Sequence, residues 1–191
     1  MKVLSDYLLA PITINRHLQD VFGEQQQLLQ LLVISLFGVL TPCLLLLLYP
    51  QSFSAVPQWK SVLAVILIAD IAAGCIANFS RSTNNFYARH SAKRWGFIII
   101  HWHLVILAFA LEQTLQSSVI VTLYTLVAAS IINLLRDNAG QKFYAGTLMA
   151  LGYIGINTLV ESSIVMSTVQ GLFMFKVIFS FAVEHYGHEN Q

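Results

Sequence analysis

Four side chains that can carry or exchange a proton stand inside long apolar runs: Asp70, His101, His103 and Lys176. A charge at such depth is costly in hydrocarbon, so each must be paired, neutral or set in a polar pocket. At helical spacing Asp70, Gly74, Asn78 and Arg81 fall on one stripe, with Ala69, Ala73 and Ala77 beside it at intervals of four. Small residues at that interval let helix backbones approach closely. The stripe therefore reads in two ways: a packing seam holding one buried polar group, or a proton or cation site. His101 and His103 flank Trp102. Two positions apart on a helix, their side chains point about 200° apart, so they share a metal only if the helix breaks there. The plain alternative for each is a neutral imidazole bonded to a neighbouring helix. Lys176, between Phe175 and Val177, either snorkels towards the headgroups or pairs internally, with Asp70 as a partner.

A second group is polar and lies between apolar runs, from Arg81 to His90, followed by Lys93 and Arg94. Arginines with hydroxyl and amide donors suit a phosphate or an anionic lipid headgroup, which makes Thr83, Asn84, Asn85, Arg89 and Arg94 headgroup-contact candidates. An ordinary cluster of basic residues with an aromatic belt explains the charges but leaves Ser82-Thr83-Asn84-Asn85 unexplained. Binding or coupling candidates are Asp70, Asn78, Arg81, His101, His103 and Lys176. Motifs for phosphate cradles, zinc hydrolases, nucleophile elbows and CxxC pairs are lacking, so no catalytic residue and no metal ligand set is read. Cys43 and Cys75 lie within apolar runs and read as small core residues. A haem would need axial histidines on facing helices, and only the third apolar run offers any at depth; His185 and His188 follow the sixth. The cofactor stays unknown.

The elements that would position these groups are helices in lipid. The 191 residues are 57% hydrophobic and only 10% charged, with mean hydropathy +0.69; soluble domains carry about 25% charged residues. The expected fold class is all-α, a polytopic membrane bundle of about six transmembrane helices. The spans are Leu28–Tyr49, Lys60–Phe79, Trp95–Leu111, Ser117–Leu135, Phe143–Val160 and Ser162–Val183, each near the length that crosses about 30 Å at 1.5 Å per residue. Pro50, Pro57, the polar run 80–94, the run 136–142 and Glu161-Ser162 separate them, and Pro42 should kink the first. The organisation expected is an N-terminal segment over 1–26, one transmembrane domain over 27–184 and a short tail over 185–191. No cleavable signal peptide is expected. Leu18, Val21 and Phe22 share one face of the N-terminal segment, which suits a short amphipathic helix in the headgroup layer.

Eight of the ten Lys and Arg (Lys2, Arg16, Arg81, Arg89, Lys93, Arg94, Arg136 and Lys142) fall on one side of a six-span arrangement. Basic residues stay cytoplasmic, so both termini are expected there, in a bacterial inner (plasma) membrane. The polar span residues then lie from the midplane inward, under an apolar outer half. That asymmetry suggests a cytosol-facing polar pocket, and the leading reading is a transporter or small-solute-binding membrane protein. The alternatives are a membrane enzyme acting on a lipid or lipid-linked substrate, and a non-catalytic accessory or scaffold subunit. The expected partners are the lipid bilayer and either an anionic lipid headgroup or a small solute, with an oligomer or partner subunit left open. A net charge of +1 gives no case for nucleic acid.

Overall fold

A computed structural model gives the structure of residues 8–186; Lys2, His188 and the rest of the tail beyond 186 lie outside the described residues. The described residues are all-helical apart from one small hairpin, in which β1 (Pro11–Thr13) runs antiparallel to β2 (Gln25–Gln27). Between the strands lie a single 3-10 turn and α1 (Gln19–Phe22). Then follow α2 (Leu28–Leu48), α3 (Pro50–Ser54), α4 (Gln58–Ala77), α5 (Arg81–Arg89), α6 (Ser91–Ile100), α7 (His103–Ala110), α8 (Leu115–Leu134), α9 (Gln141–Leu159) and α10 (Ile164–Met174). The last helix continues as a π-helix over Phe175–Phe181.

Among the described residues, five helical stretches are long and apolar enough to cross a membrane: Leu28–Leu48, Gln58–Ala77, Ser91–Ala110, Leu115–Leu134 and Ile164–Phe181. Helix α9 spans 19 residues but is not among those five. Local chemistry sets several ends. Gln27 and Gln30 cap α2 reciprocally, and Pro50 opens α3 at a position that needs no N–H donor. Ser80 caps α5 by accepting from Thr83 N, and Ser163 caps α10 by accepting from Met166 N. Pro42 lies inside α2 without ending it.

The most buried element is α10 with its π continuation, which packs against α4, α8 and α9. Val169, Phe173, Val177 and Ile178 have no exposed surface. Helix α2 lies outermost, against α4, with Leu36, Val39, Leu44 and Leu47 exposed as lipid-facing residues would be. Gly38 explains the close α2–α4 approach, because a Cβ there would stand 3.0 Å from Ala73 Cβ and 3.3 Å from Ala69 O. The alanine stripe beside Asp70 is thus a packing seam.

The N-terminal segment holds a short helical stretch where its apolar spacing suggests one, a 3-10 turn over Arg16–Leu18 followed by α1, with Leu18 and Val21 exposed. Gly23, at φ 69°, ends α1 after one turn and turns the chain back into β2. The hairpin lies over α5: Gln25 N donates to Ser82 Oγ at 2.9 Å, Gln26 Nε2 to Ser80 Oγ at 2.6 Å, and Tyr87 Oη to Asp20 O at 2.7 Å. Burial and the nearby Asp20 carboxylate raise the Tyr87 phenol's pKa, so it stays a donor.

Candidate functional site

The third long apolar stretch breaks in its middle. Helix α6 ends at Ile100 and α7 begins at His103, leaving His101 and Trp102 outside regular helix. Side chains compete there for carbonyls. His101 Nδ1 donates to Phe97 O, the acceptor its own backbone N–H would have used, and that N–H turns to Ile98 O at 3.3 Å. The Trp102 indole donates to Ile99 O at 3.0 Å, and its backbone N–H bonds Ile100 O at 2.8 Å. The freed groups are re-satisfied locally, as apolar surroundings demand.

The break undoes the divergence expected of two histidines on one helix. Their rings lie edge to face with centroids 5.0 Å apart. Because Phe97 O can only accept, His101 carries its proton on Nδ1, which leaves Nε2 a bare acceptor. Both His101 Nε2 and His103 Nδ1 are buried without a hydrogen-bond partner.

Against this pair stands an ion pair. Lys176, second residue of the π-helix, donates from Nζ to Asp70 Oδ2 at 2.8 Å and to Asp70 O at 3.4 Å. Both imidazoles lie within electrostatic reach of Asp70 and Lys176. The Lys176 side chain is 4% exposed and that of Asp70 51%, so the carboxylate sits at the outer face of α4 and the ammonium reaches it from inside. Gly74 makes the route, since a Cβ there would overlap the Lys176 stem. The π-helix is tied to α4 just beyond: Ser180 Oγ donates to Cys75 O at 2.8 Å, and Cys75 Sγ to Leu172 O at 3.1 Å. π segments inside α-helices often mark functional positions.

The other candidates separate from this cluster. Asn78 caps the end of α4, about 12 Å along the helix from Asp70 at the helical rise. Arg81 opens α5 and stacks on Tyr186 at 5.2 Å. Three of the residues considered for headgroup contact turn inward. Thr83 accepts from Ser80 Oγ at 2.9 Å. Asn84 donates to Val183 O at 3.0 Å and accepts from His185 N at 3.2 Å. Arg94, 1% exposed, donates to Glu184 Oε2 and Ala182 O, both at 2.8 Å. Asn84 and Arg94, with Gln141, which donates to Ala182 O at 3.1 Å and accepts from Glu184 N at 2.8 Å, clamp the chain leaving the π-helix. Asn85 and Arg89 remain at the surface, beside Arg81 and the N-terminal hairpin.

Sequence reasoning missed Gln141, Glu184 and the slot at Gly74. Gly74 had been placed on the Asp70 stripe, but nothing local announced a lysine crossing it. Among the described residues, no group of three or more His, Cys, Asp or Glu is placed to hold a metal ion. Comparison with protein-family models, with curated proteins and with solved structures finds no match to this chain.

Proposed function

We propose that the chain is a six-span membrane protein with both termini cytoplasmic, in a bacterial inner membrane, and that it binds or transports a small polar solute or a proton at the Asp70–Lys176–His101–His103 cluster. One observation carries this reading: the broken third span sets a buried and a half-buried imidazole, each with a buried, unpartnered ring nitrogen, beside an intramembrane ion pair. Interrupted helices at membrane depth are tolerated where they are buried in protein or line a cavity, and transporters build substrate sites from them. His101 Nε2 can accept from a donor, and the Asp70 carboxylate, half exposed, can exchange a proton or a cation for its bond to Lys176.

Single-cysteine labelling tests the proposal. In a background of Cys43→Ser and Cys75→Ser, cysteines at 101 and 103 are challenged in sealed vesicles with a membrane-impermeant thiol reagent. Labelling from one side only, slowed by protonation or by a bound solute, is expected. Absence of labelling from both sides, in a protein that melts like its parent, would remove the solute-access reading.

An accessory-subunit reading keeps one observation of its own. The Asp70 carboxylate is half exposed on a helix face shared with Val62 and Ile66, where a neighbouring subunit could cover it. The enzyme alternative has less support, because among the described residues no hydroxyl or thiol lies within hydrogen-bond reach of the unpartnered His101 Nε2 and His103 Nδ1.

A further inference from the structure

The Asp70 carboxylate has two sides. Its inner side faces Lys176, which is 4% exposed and donates from Nζ to Oδ2 at 2.8 Å. Its outer side is open. The side chain is 51% exposed, seven residues and about 10 Å from the nearer end of α4. Ile66 and Val62 precede it on the same helix face and are 58% and 52% exposed. Helix α2 borders this face where Gly38 meets Ala69 and Ala73. In a membrane-spanning chain the opening leads sideways into hydrocarbon, along an apolar stripe. A carboxylate facing hydrocarbon calls for a counter-charge or a donor on that side.

Charge balance limits what can dock there. The Asp70–Lys176 pair is neutral as it stands. Among the described residues, the other titratable groups brought to it are Cys75 on α4 and His101 and His103 on the broken third span. A second cation on the open side of the carboxylate leaves the pocket with an excess positive charge, which is costly in hydrocarbon unless a proton departs.

His101 adds an independent observation. It is 2% exposed, its Nδ1 is committed as a donor to Phe97 O, and its Nε2 is buried without a partner. A bare imidazole nitrogen within electrostatic reach of Lys176 is a base for the departing proton.

We propose that the site takes a lipophilic ammonium ion, the protonated form of a primary or secondary alkylamine, from the bilayer in exchange for a proton. The inference rests on the reading of this cluster as a binding site. The ammonium donates to Asp70 from the open side, and its alkyl chain lies along Ile66 and Val62. Lys176 gives up one proton and remains as a neutral amine in its slot over Gly74. The proton passes by way of His101 Nε2 to solvent. One positive charge enters and one leaves, so the pocket ends as neutral as it began.

The test uses the full chain in lipid nanodiscs at neutral pH, with empty nanodiscs as the blank. Heats of binding are measured in two buffers of different ionisation enthalpy, which counts the protons released. The probes are octylammonium, methylammonium and octanol. Octylammonium should saturate with about one proton released per ion bound, and should bind at least about tenfold more tightly than methylammonium, because its chain adds apolar contact. Octanol, which lacks the charge, should neither saturate nor release protons. Ile66→Ser should narrow the preference for octylammonium severalfold, and Asp70→Asn should abolish binding. Should Asp70→Asn fail to fold, the parent and Ile66→Ser decide the matter alone. Methylammonium binding as tightly as octylammonium would overturn the lipophilic class while leaving the solute-binding reading in place. Octylammonium binding without proton release would overturn the exchange. Absence of binding by both ammonium ions would overturn the proposal as a whole, and cysteine labelling at 101 and 103 would then report separately on solute access to the cluster.

Discussion

Replacing Asp70 by Asn should cost the fold more than replacing Lys176 by Met, although both remove the same ion pair. The asymmetry follows from burial. Lys176 is 4% exposed and takes its acceptors from Asp70 alone, the carboxylate at 2.8 Å and the main-chain oxygen at 3.4 Å. Asp70→Asn removes the negative charge and strands a buried ammonium, a loss of about 3–5 kcal/mol where one partner of a buried pair is deleted. Lys176→Met keeps an unbranched stem in the slot over Gly74. It orphans only a carboxylate that is 51% exposed and can take up a proton, so roughly 1–2 kcal/mol is expected. The double variant should melt close to Lys176→Met, because the stranded charge is gone, giving a coupling energy of about 3–5 kcal/mol in a double-mutant cycle. For a chain of this size 1 kcal/mol moves a melting temperature by about 2–4 °C, so Asp70→Asn should fall on the order of 10 °C below the parent. Tryptophan fluorescence melts of the parent and three variants in one detergent measure this. Equal melting of the two single variants, or a larger loss for Lys176→Met, would refute the argument from burial.

Reporter fusions after residues 90 and 140 should read cytoplasmic and those near 55 and 114 external; a cytoplasmic reading near 114 would sink the six-span arrangement. Gly38→Leu should destabilise the bundle by about 1–3 kcal/mol through overpacking against Ala73 and Ala69, whereas Leu47→Ala on the lipid-facing side of α2 should leave the melt nearly unchanged. His185 should make stability depend on pH. Burial, then the charges of Lys142 and Arg94, hold its pKa below the ordinary value, against hydrogen bonds to Phe179 O and Ser180 O that oppose the shift. The unfolded chain therefore binds the proton more readily, and the contribution is complete above the unfolded pKa and lost as pH falls through it towards the folded value. The parent should lose melting temperature between pH 7 and pH 5, and His185→Gln should flatten that slope.

The helical stretches were legible because their signal is local. An apolar run of about 20 residues must satisfy its own backbone hydrogen bonds in lipid, and a helix does so within the segment. Element ends read from Pro50, Pro57 and the polar runs fall within a few residues of those observed. The alanine stripe of α4 was equally readable, since a period of four needs no knowledge of the partner, although only the structure names Gly38 as what it meets. The short helix over residues 16–22 was readable from its apolar spacing, whereas the hairpin that encloses it was not: Gly23 at a positive φ ends the helix and turns the chain back to pair β2 with β1.

Composition and periodicity by themselves determined that this is a helical chain suited to a membrane, and that Asp70, His101, His103 and Lys176 are the groups whose burial must be explained. Which of them meet was decided only by the tertiary structure. Asp70 and Lys176 are 106 positions apart, and their pairing depends on how α4 and the π-helix are rotated and on a slot left open at Gly74. The two imidazoles face one another because the His101 ring outcompetes a backbone N–H for one carbonyl.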